Sequence, residues 1–361
     1  MEQVSDLQLW VGLVRPYFTA ISSIRYSDRQ LRPVLAHFGP ATCREGHSVI
    51  EWPAVISIRG IPAGEQMKAV TWRADALLLI TAIIWGFAFV AQRVGMDHIG
   101  PFTFNAARFV LGSLSLAPLI WIFPDRQSQG WRQLLLGSLA AGCMLYAGSS
   151  MQQIGLVYTT AGNAGFITGL YIVLVPFFAL FWGQSTQGST WLGACLALIG
   201  LFLLSVTDDL TLAYGDLLEL IGAFFWAGHV LLIGWFCRRV DPLRLALGQF
   251  LVCAVLSIIS MIIWENLDVD GIRAAWLPIT YAGLLSVGVA YTLQVVAQKD
   301  APAAHAAIIL SLEAVFAAIG GWLVLSETLG WRGLLGCALM LCGMLVSQWS
   351  ALKKFRRKAV T

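Results

Sequence analysis

Glu313 interrupts an apolar run, Ile308-Ile309-Leu310-Ser311-Leu312-Glu313-Ala314-Val315-Phe316. A carboxyl in such surroundings costs about 3 kcal/mol on insertion scales unless it is protonated or paired. Two readings stand side by side: a group that takes up and releases protons or meets a cation, and a carboxyl kept neutral by a neighbouring helix. His305 precedes it by two helical turns, and His229 sits within another apolar run. Either imidazole can pass a proton; packing as an ordinary polar residue is the commoner role for a lone histidine there. Arg108, in Ala106-Ala107-Arg108-Phe109, can attract an anion or pair with an acid, but reaching to the membrane surface is the preferred reading. Glu219 is read as a first-turn residue that favours the positive end of its helix.

Uncharged polar residues add a second pattern. Tyr146, Ser149, Ser150 and Gln153 recur at the spacing of one helical face, as do Gly288, Tyr291, Gln294 and Gln298. A polar stripe faces lipid only at a cost, so both are expected to face a cavity or another helix. Lining a solute path is favoured over plain interhelical hydrogen bonding because two stripes match. Asn163 joins the candidate lining set, with Trp85 and Trp226, whose rings can stack on a solute or simply pack. No cluster of His, Cys and carboxylates has metal-ligand spacing, and no G-x-x-x-x-G-K-[ST], H-E-x-x-H or G-x-S-x-G occurs. No cofactor, metal, ATPase domain or catalytic set is expected.

These residues must be carried by membrane helices. Of 361 residues, 58% are hydrophobic and 12% charged, against about a quarter charged in soluble domains. Ten apolar runs follow one another, near 76–94, 103–123, 133–154, 161–183, 190–206, 216–236, 243–264, 275–297, 303–325 and 331–350. Each approaches the ~20 residues that cross ~30 Å of hydrocarbon. The expected fold is an all-α membrane protein of ten transmembrane helices. Residues 1–66 hold no such run and five prolines, so they are expected to be a disordered extension, with Met67 an alternative start of translation. Residues 351–361 form a basic tail. Counted over ten spans, the loops on the C-terminal side hold 13 Lys or Arg and the opposite loops three, Arg93, Arg273 and Arg332. The positive-inside rule then places both termini in the cytoplasm, across the inner membrane. A net charge of +3 gives no reason to expect nucleic acid.

The chain also repeats itself. Asp75, Trp85, Pro101 and Phe109 pair with Asp216, Trp226, Pro242 and Phe250 at an offset of 141. Tyr146 and Gln153 pair with Tyr291 and Gln298 at 145, and Gly193 and Gly200 with Gly336 and Gly343 at 143. Two five-helix repeats follow, about 70–206 and 215–350. Five is odd, so the second must enter from the opposite face, giving the inverted halves of secondary transporters.

The doubled D-x9-W, Ala106-Ala107-Arg108-Phe109, the run Thr160-Ala161-Gly162-Asn163-Ala164-Gly165-Phe166-Ile167-Thr168-Gly169-Leu170, and Leu325-Ser326-Glu327-Thr328-Leu329 resemble the drug/metabolite transporter superfamily, EamA type. Two positions depart from its pattern: Gln184 replaces an acid, and Ala314 follows Glu313 where proline is common. The resemblance implies a permease that moves a small organic metabolite or drug, with efflux by alternating access. Its partners would be the solute, membrane lipid and, as an option, a second copy of the chain. A membrane-embedded enzyme, a lipid-handling protein and a non-transporting scaffold are the rival readings.

Overall fold

The computed structural model describes residues 63–122, 130–181, 188–205, 214–326 and most of 330–346. The expected disordered extension over 1–62 and the basic tail lie outside them. Among the described residues every regular element is a helix. Helix α1 is Ala63–Gly95, α2 Pro101–Ile122 and α3 Trp131–Tyr158; α4 is Ala161–Thr168, α5 Tyr171–Phe181 and α6 Gly188–Ser205. The second repeat holds α7 (Tyr214–Phe236), α8 (Pro242–Trp264) and the short α9 (Val269–Ala274). There follow α10 (Trp276–Thr280), a π-helical segment (Tyr281–Tyr291), α11 (Thr292–Gln298), α12 (Ala303–Leu310) and α13 (Glu313–Leu325). A last helical stretch, α14, lies within 331–346. The expected boundary at Met67 falls inside α1.

Eight helical runs are long and apolar enough to cross a membrane, where ten were expected. They correspond to α1, α2, α3, α4–α5, α7, α8, α10 to α11, and α12–α13. The two others, 190–206 and 331–350, appear as shorter apolar helices, Gly188–Gly200 and Leu334–Gly343, and each runs partly beyond the described residues. The outside of the bundle suits lipid. Leu114, Phe181, Ile262, Trp264 and Leu323 are each at least 60% exposed, while Asn105, Gln153, Glu219, Gln249, Gln294 and Gln298 are fully buried. Water would favour the reverse distribution.

Local chemistry sets the helix ends. Thr160 accepts from the Asn163 N–H at the start of α4, and Asp241 does the same for Arg244 ahead of Pro242 at the start of α8. The start of α2 is capped from the other repeat. Glu265, just past α8, accepts from the backbone N–H groups of Phe102 and Thr103 at 2.8 Å and from the Thr103 hydroxyl at 2.6 Å. A carboxylate suits that position because the first N–H groups of a helix have no partner within it.

Two spans are interrupted at equivalent places. Between α4 and α5, Leu170 N–H bonds Ile167 O and Ile172 N–H bonds Gly169 O; between α12 and α13, Leu312 N–H bonds Ile309 O and Ala314 N–H bonds Ser311 O. Each is a short stretch of tight i→i−3 bonds, a feature that often marks a hinge. The turns lie 142 residues apart, the repeat distance, although Gly169 and Ser311 differ.

Contacts between the repeats also come in matching pairs. Helix α3 packs on α7 and α8; their counterparts do likewise, α1 on the π segment and α11, and α2 on the π segment. Helix α13 packs on α1 as α4 and α5 pack on α7. Helices α6 and α14 meet backbone to backbone. A Cβ on Gly200 would lie 2.5 Å from the Gly336 carbonyl oxygen, and one on Gly343 would lie 2.6 Å from that of Gly193. Numbers that rise along one helix fall along the other, so the pair lies antiparallel, at an approach that glycine permits.

Candidate functional site

Buried polar residues from both repeats line one cavity walled by α1 to α5, α7, the π segment, α11 and α13. It leaves about 30 Å³ for the centres of water molecules, enough for about two. Its wall has a cationic part, an aromatic part and an acidic part.

Arg108, from α2, supplies the cation. It is 2% exposed. Its Nη1 donates to Gln92 Oε1 at 2.5 Å, and the same oxygen accepts from Gln152 Nε2 at 3.3 Å. The guanidinium lies 5.0 Å from the Phe109 ring centroid and 5.8 Å from that of Phe104. Among the described residues no carboxylate lies within ion-pair distance of it. The sequence reading of Arg108 as reaching to the membrane surface is therefore corrected. Its position on α2 turns it inward, where amides and ring faces hold it.

Tyr291, the last residue of the π segment, is the hub of the aromatic part. Its ring centroid lies 4.5 Å from that of Trp85 and 6.2 Å from that of Trp226, nearly parallel in the second case. The two tryptophans hold equivalent repeat positions around it. They differ in hydrogen bonding too: Trp85 Nε1 donates to Ser286 O at 3.3 Å, whereas Trp226 Nε1 has no hydrogen-bond partner among the described residues. His229 stands edge-on to Tyr291 and pairs through Nε2 with Gln249 Oε1 at 2.8 Å. Gln294 is fully buried, and neither its amide oxygen nor its nitrogen finds a partner.

Glu313 supplies the acid, 4% exposed and first in α13, just after the tight turn. Tyr171 occupies the equivalent place, first in α5, and its side chain faces the Glu313 carboxyl. Its hydroxyl lacks a partner of ordinary hydrogen-bond geometry. One turn before Tyr171, the Thr168 hydroxyl donates to Glu219 Oε2 at 3.0 Å. Glu219 is fully buried and its Oε1 is unpartnered. This corrects its reading as a first-turn residue: α7 begins at Tyr214, so Glu219 is carried inward to meet α4. Helices α4 and α13 come close enough for this junction because Gly165 lies against Ala317, where a Cβ would meet the alanine methyl at 2.9 Å.

The EamA-like transporter family matches this chain twice, over residues 72–206 and 213–348. The chain belongs to that family. Its relatives carry transporter names. An Archaeoglobus fulgidus protein named an uncharacterized transporter is 31% identical over 76% of this chain and 85% of its own length. The uncharacterized transporter YoaV of Bacillus subtilis is 21% identical over 76% and 96%. The uncharacterized inner membrane transporter YedA of Escherichia coli is 24% identical over 56% and 66%. A solved structure titled only as the crystal structure of a protein superposes with a TM-score of 0.65 at 18% identity, over 78% of this chain and 98% of that one, which shows a shared fold. This EamA-like protein is a multi-pass membrane transporter.

The transporter brings together only some of the candidates read from its sequence. Trp85, Trp226, Tyr291, Gln294, His229 and Glu313 line the cavity; Tyr146, Ser149, Gln153, Asn163, Gln298 and His305 do not. The stripe on α3 faces α2 and α8 instead: Tyr146 pairs with Ser260, and Ser149 lies 3.7 Å from Cys253 Sγ. Gln153 Nε2 donates weakly to Gln92 O at 3.4 Å. Asn163 is half-buried near the start of α4, where its N–H is capped by Thr160. Gln298 bonds Val230 O at 3.0 Å, and His305 pairs with Asp75 at 2.8 Å. The second stripe divides within α11, where Gln294 lines the cavity and Gln298, four residues on, bonds the α7 backbone instead. Sequence reasoning missed Gln92, Gln152, Thr168, Tyr171 and Ser286. The signal for Gln92 and Gln152 was present, since each is an amide within an apolar run.

Proposed function

We propose that this transporter is a secondary carrier that exports a small organic solute across the inner membrane by alternating access between two inverted halves. Both termini would lie in the cytoplasm, and Glu313 would couple flux to protons. The single observation that carries this reading is the placement of the cavity. It is walled by both repeats, and Tyr171 and Glu313 meet in it from equivalent positions just after equivalent tight turns. The antiparallel pairing of α6 with α14, which occupy equivalent places in the repeats, supports opposite insertion of the two halves. So does the matched exchange of contacts between them. Room for about two waters is too little for an organic solute, so binding requires the halves to separate on one side. The acid of α13, facing a tyrosine, is where a proton would be taken up or released as they do so.

The test is flux. Purified protein in proteoliposomes should move solutes from a metabolite panel, faster when an inward proton gradient is imposed, and everted membrane vesicles should accumulate them. Saturable flux for no solute, or labelling that finds the two chain ends on opposite faces, would refute the carrier reading. Flux that ignores the proton gradient would remove the coupling role alone.

A further inference from the structure

The unsatisfied groups around the cavity have a chemical bias. Arg108 is buried, and its guanidinium stays charged at any working pH. Burying such a charge costs several kcal/mol unless an opposite charge and hydrogen bonds compensate. Its neighbours here are a neutral amide, Gln92, and the faces of Phe104 and Phe109, while its Nε–H has no partner. Two more donors in the same wall are unpartnered and at least nine-tenths buried, Trp226 Nε1 and the Gln294 amide nitrogen. A neutral solute would leave the guanidinium uncompensated. A cationic head could meet Glu313 in the same wall but would leave the charge of Arg108 unanswered. An anionic head with two acceptor oxygens answers both the charge and the donors, and the planar fork of arginine suits a carboxylate. The rings of Trp85, Trp226 and Tyr291 offer apolar faces beside it.

We propose that the cavity selects a solute bearing a carboxylate, bound at Arg108 with the donors of Gln294 and Trp226 in the same wall, and carrying an apolar ring or chain that rests on the aromatic cluster. This deepens the carrier reading and rests on it for the solute's passage, though the binding claim is separable.

Three probes share one ring and chain and differ only in the head: 3-phenylpropanoate, 3-phenylpropylamine and 3-phenylpropanol. Binding to the purified full-length protein is measured by thermal stabilisation and by tryptophan fluorescence, and flux by counterflow in proteoliposomes. The carboxylate should bind at least tenfold more tightly than the other two. Arg108→Gln should weaken carboxylate binding at least tenfold, and Arg108→Lys less. If Arg108→Gln does not fold, Gln294→Leu and the comparison of heads in the unaltered protein still decide. Tighter binding of the amine or the alcohol, no saturable binding of the carboxylate up to millimolar concentration, or unchanged affinity in a folded Arg108→Gln protein would each overturn the proposal. Carboxylate binding with no counterflow for any solute would sink the carrier reading and leave this one standing; flux of amines alone would do the opposite.

Discussion

Glu265 ties the two repeats together at one end of α2, and removing that tie tests the proposed separation of the halves. It follows α8 in the second repeat and caps α2 in the first, through two N–H bonds at 2.8 Å and a hydroxyl bond at 2.6 Å. Glu265→Ala removes all three acceptor contacts. A hydrogen bond to a charged group contributes about 1.5–3 kcal/mol, and loss of a helix N-cap about 0.5–2 kcal/mol. Glu265 is only half-buried, so water replaces part of what is lost. A net loss of about 2 kcal/mol follows, near 30-fold in the ratio of latched to unlatched states. A separated population of about 1% would then rise to roughly a quarter. The assay is a spin-label distance measurement between His98→Cys and Leu267→Cys, both exposed near this latch, with the native cysteines replaced. Glu265→Ala should add a longer distance, and Glu265→Gln should fall between it and the parent. One unchanged distance distribution in all three proteins, with unchanged thermal stability, would refute the reasoning.

Glu313→Gln should fold, insert and bind solute, but lose the dependence of flux on the proton gradient; a retained dependence would assign coupling elsewhere. Trp85→Phe loses the bond to Ser286 O and should lower thermal stability by about 1 kcal/mol, with a smaller effect on solute affinity. Trp226→Phe loses no protein hydrogen bond, so it should spare stability and weaken binding; equal effects of the two on both readouts would contradict their division of roles. Gly200→Leu and Gly343→Leu should each destabilise by at least 2 kcal/mol, because the added side chain meets a carbonyl oxygen and not a movable side chain. Similar losses are expected for the two in thermal unfolding, and tolerance of either would deny the close approach of α6 and α14.

The helices were legible because long apolar runs have few alternatives in lipid, and the repeat because Asp75, Trp85 and Pro101 return at one offset as Asp216, Trp226 and Pro242. Three things were hidden, each for a physical reason. The tight turns after Thr168 and Leu310 carry no proline to announce them, and Gly169 and Ser311 are both tolerated within helices. The π segment reads as an ordinary amphipathic run, since nothing in Tyr281–Tyr291 specifies its extra residue per turn. Which face of a buried helix meets a cavity depends on its neighbours, so the stripe on α3 and the cluster around Tyr291 looked equivalent until packing separated them. Arg108 shows the same limit. An arginine near a helix start can reach water or turn inward, and only the placement of Gln92 and Phe109 decides.

Tyr171 and Glu313 descend from the same place in two copies of one unit, yet they face each other across the cavity. Had both copies kept the acid, two carboxylates would share that spot and one would be forced to stay protonated. Had both kept the phenol, no group there could release a proton near neutrality. Divergence at this one pair sets one carboxyl against one phenol where the two repeats meet. It also means that the two repeats are not chemical twins at the place where they meet.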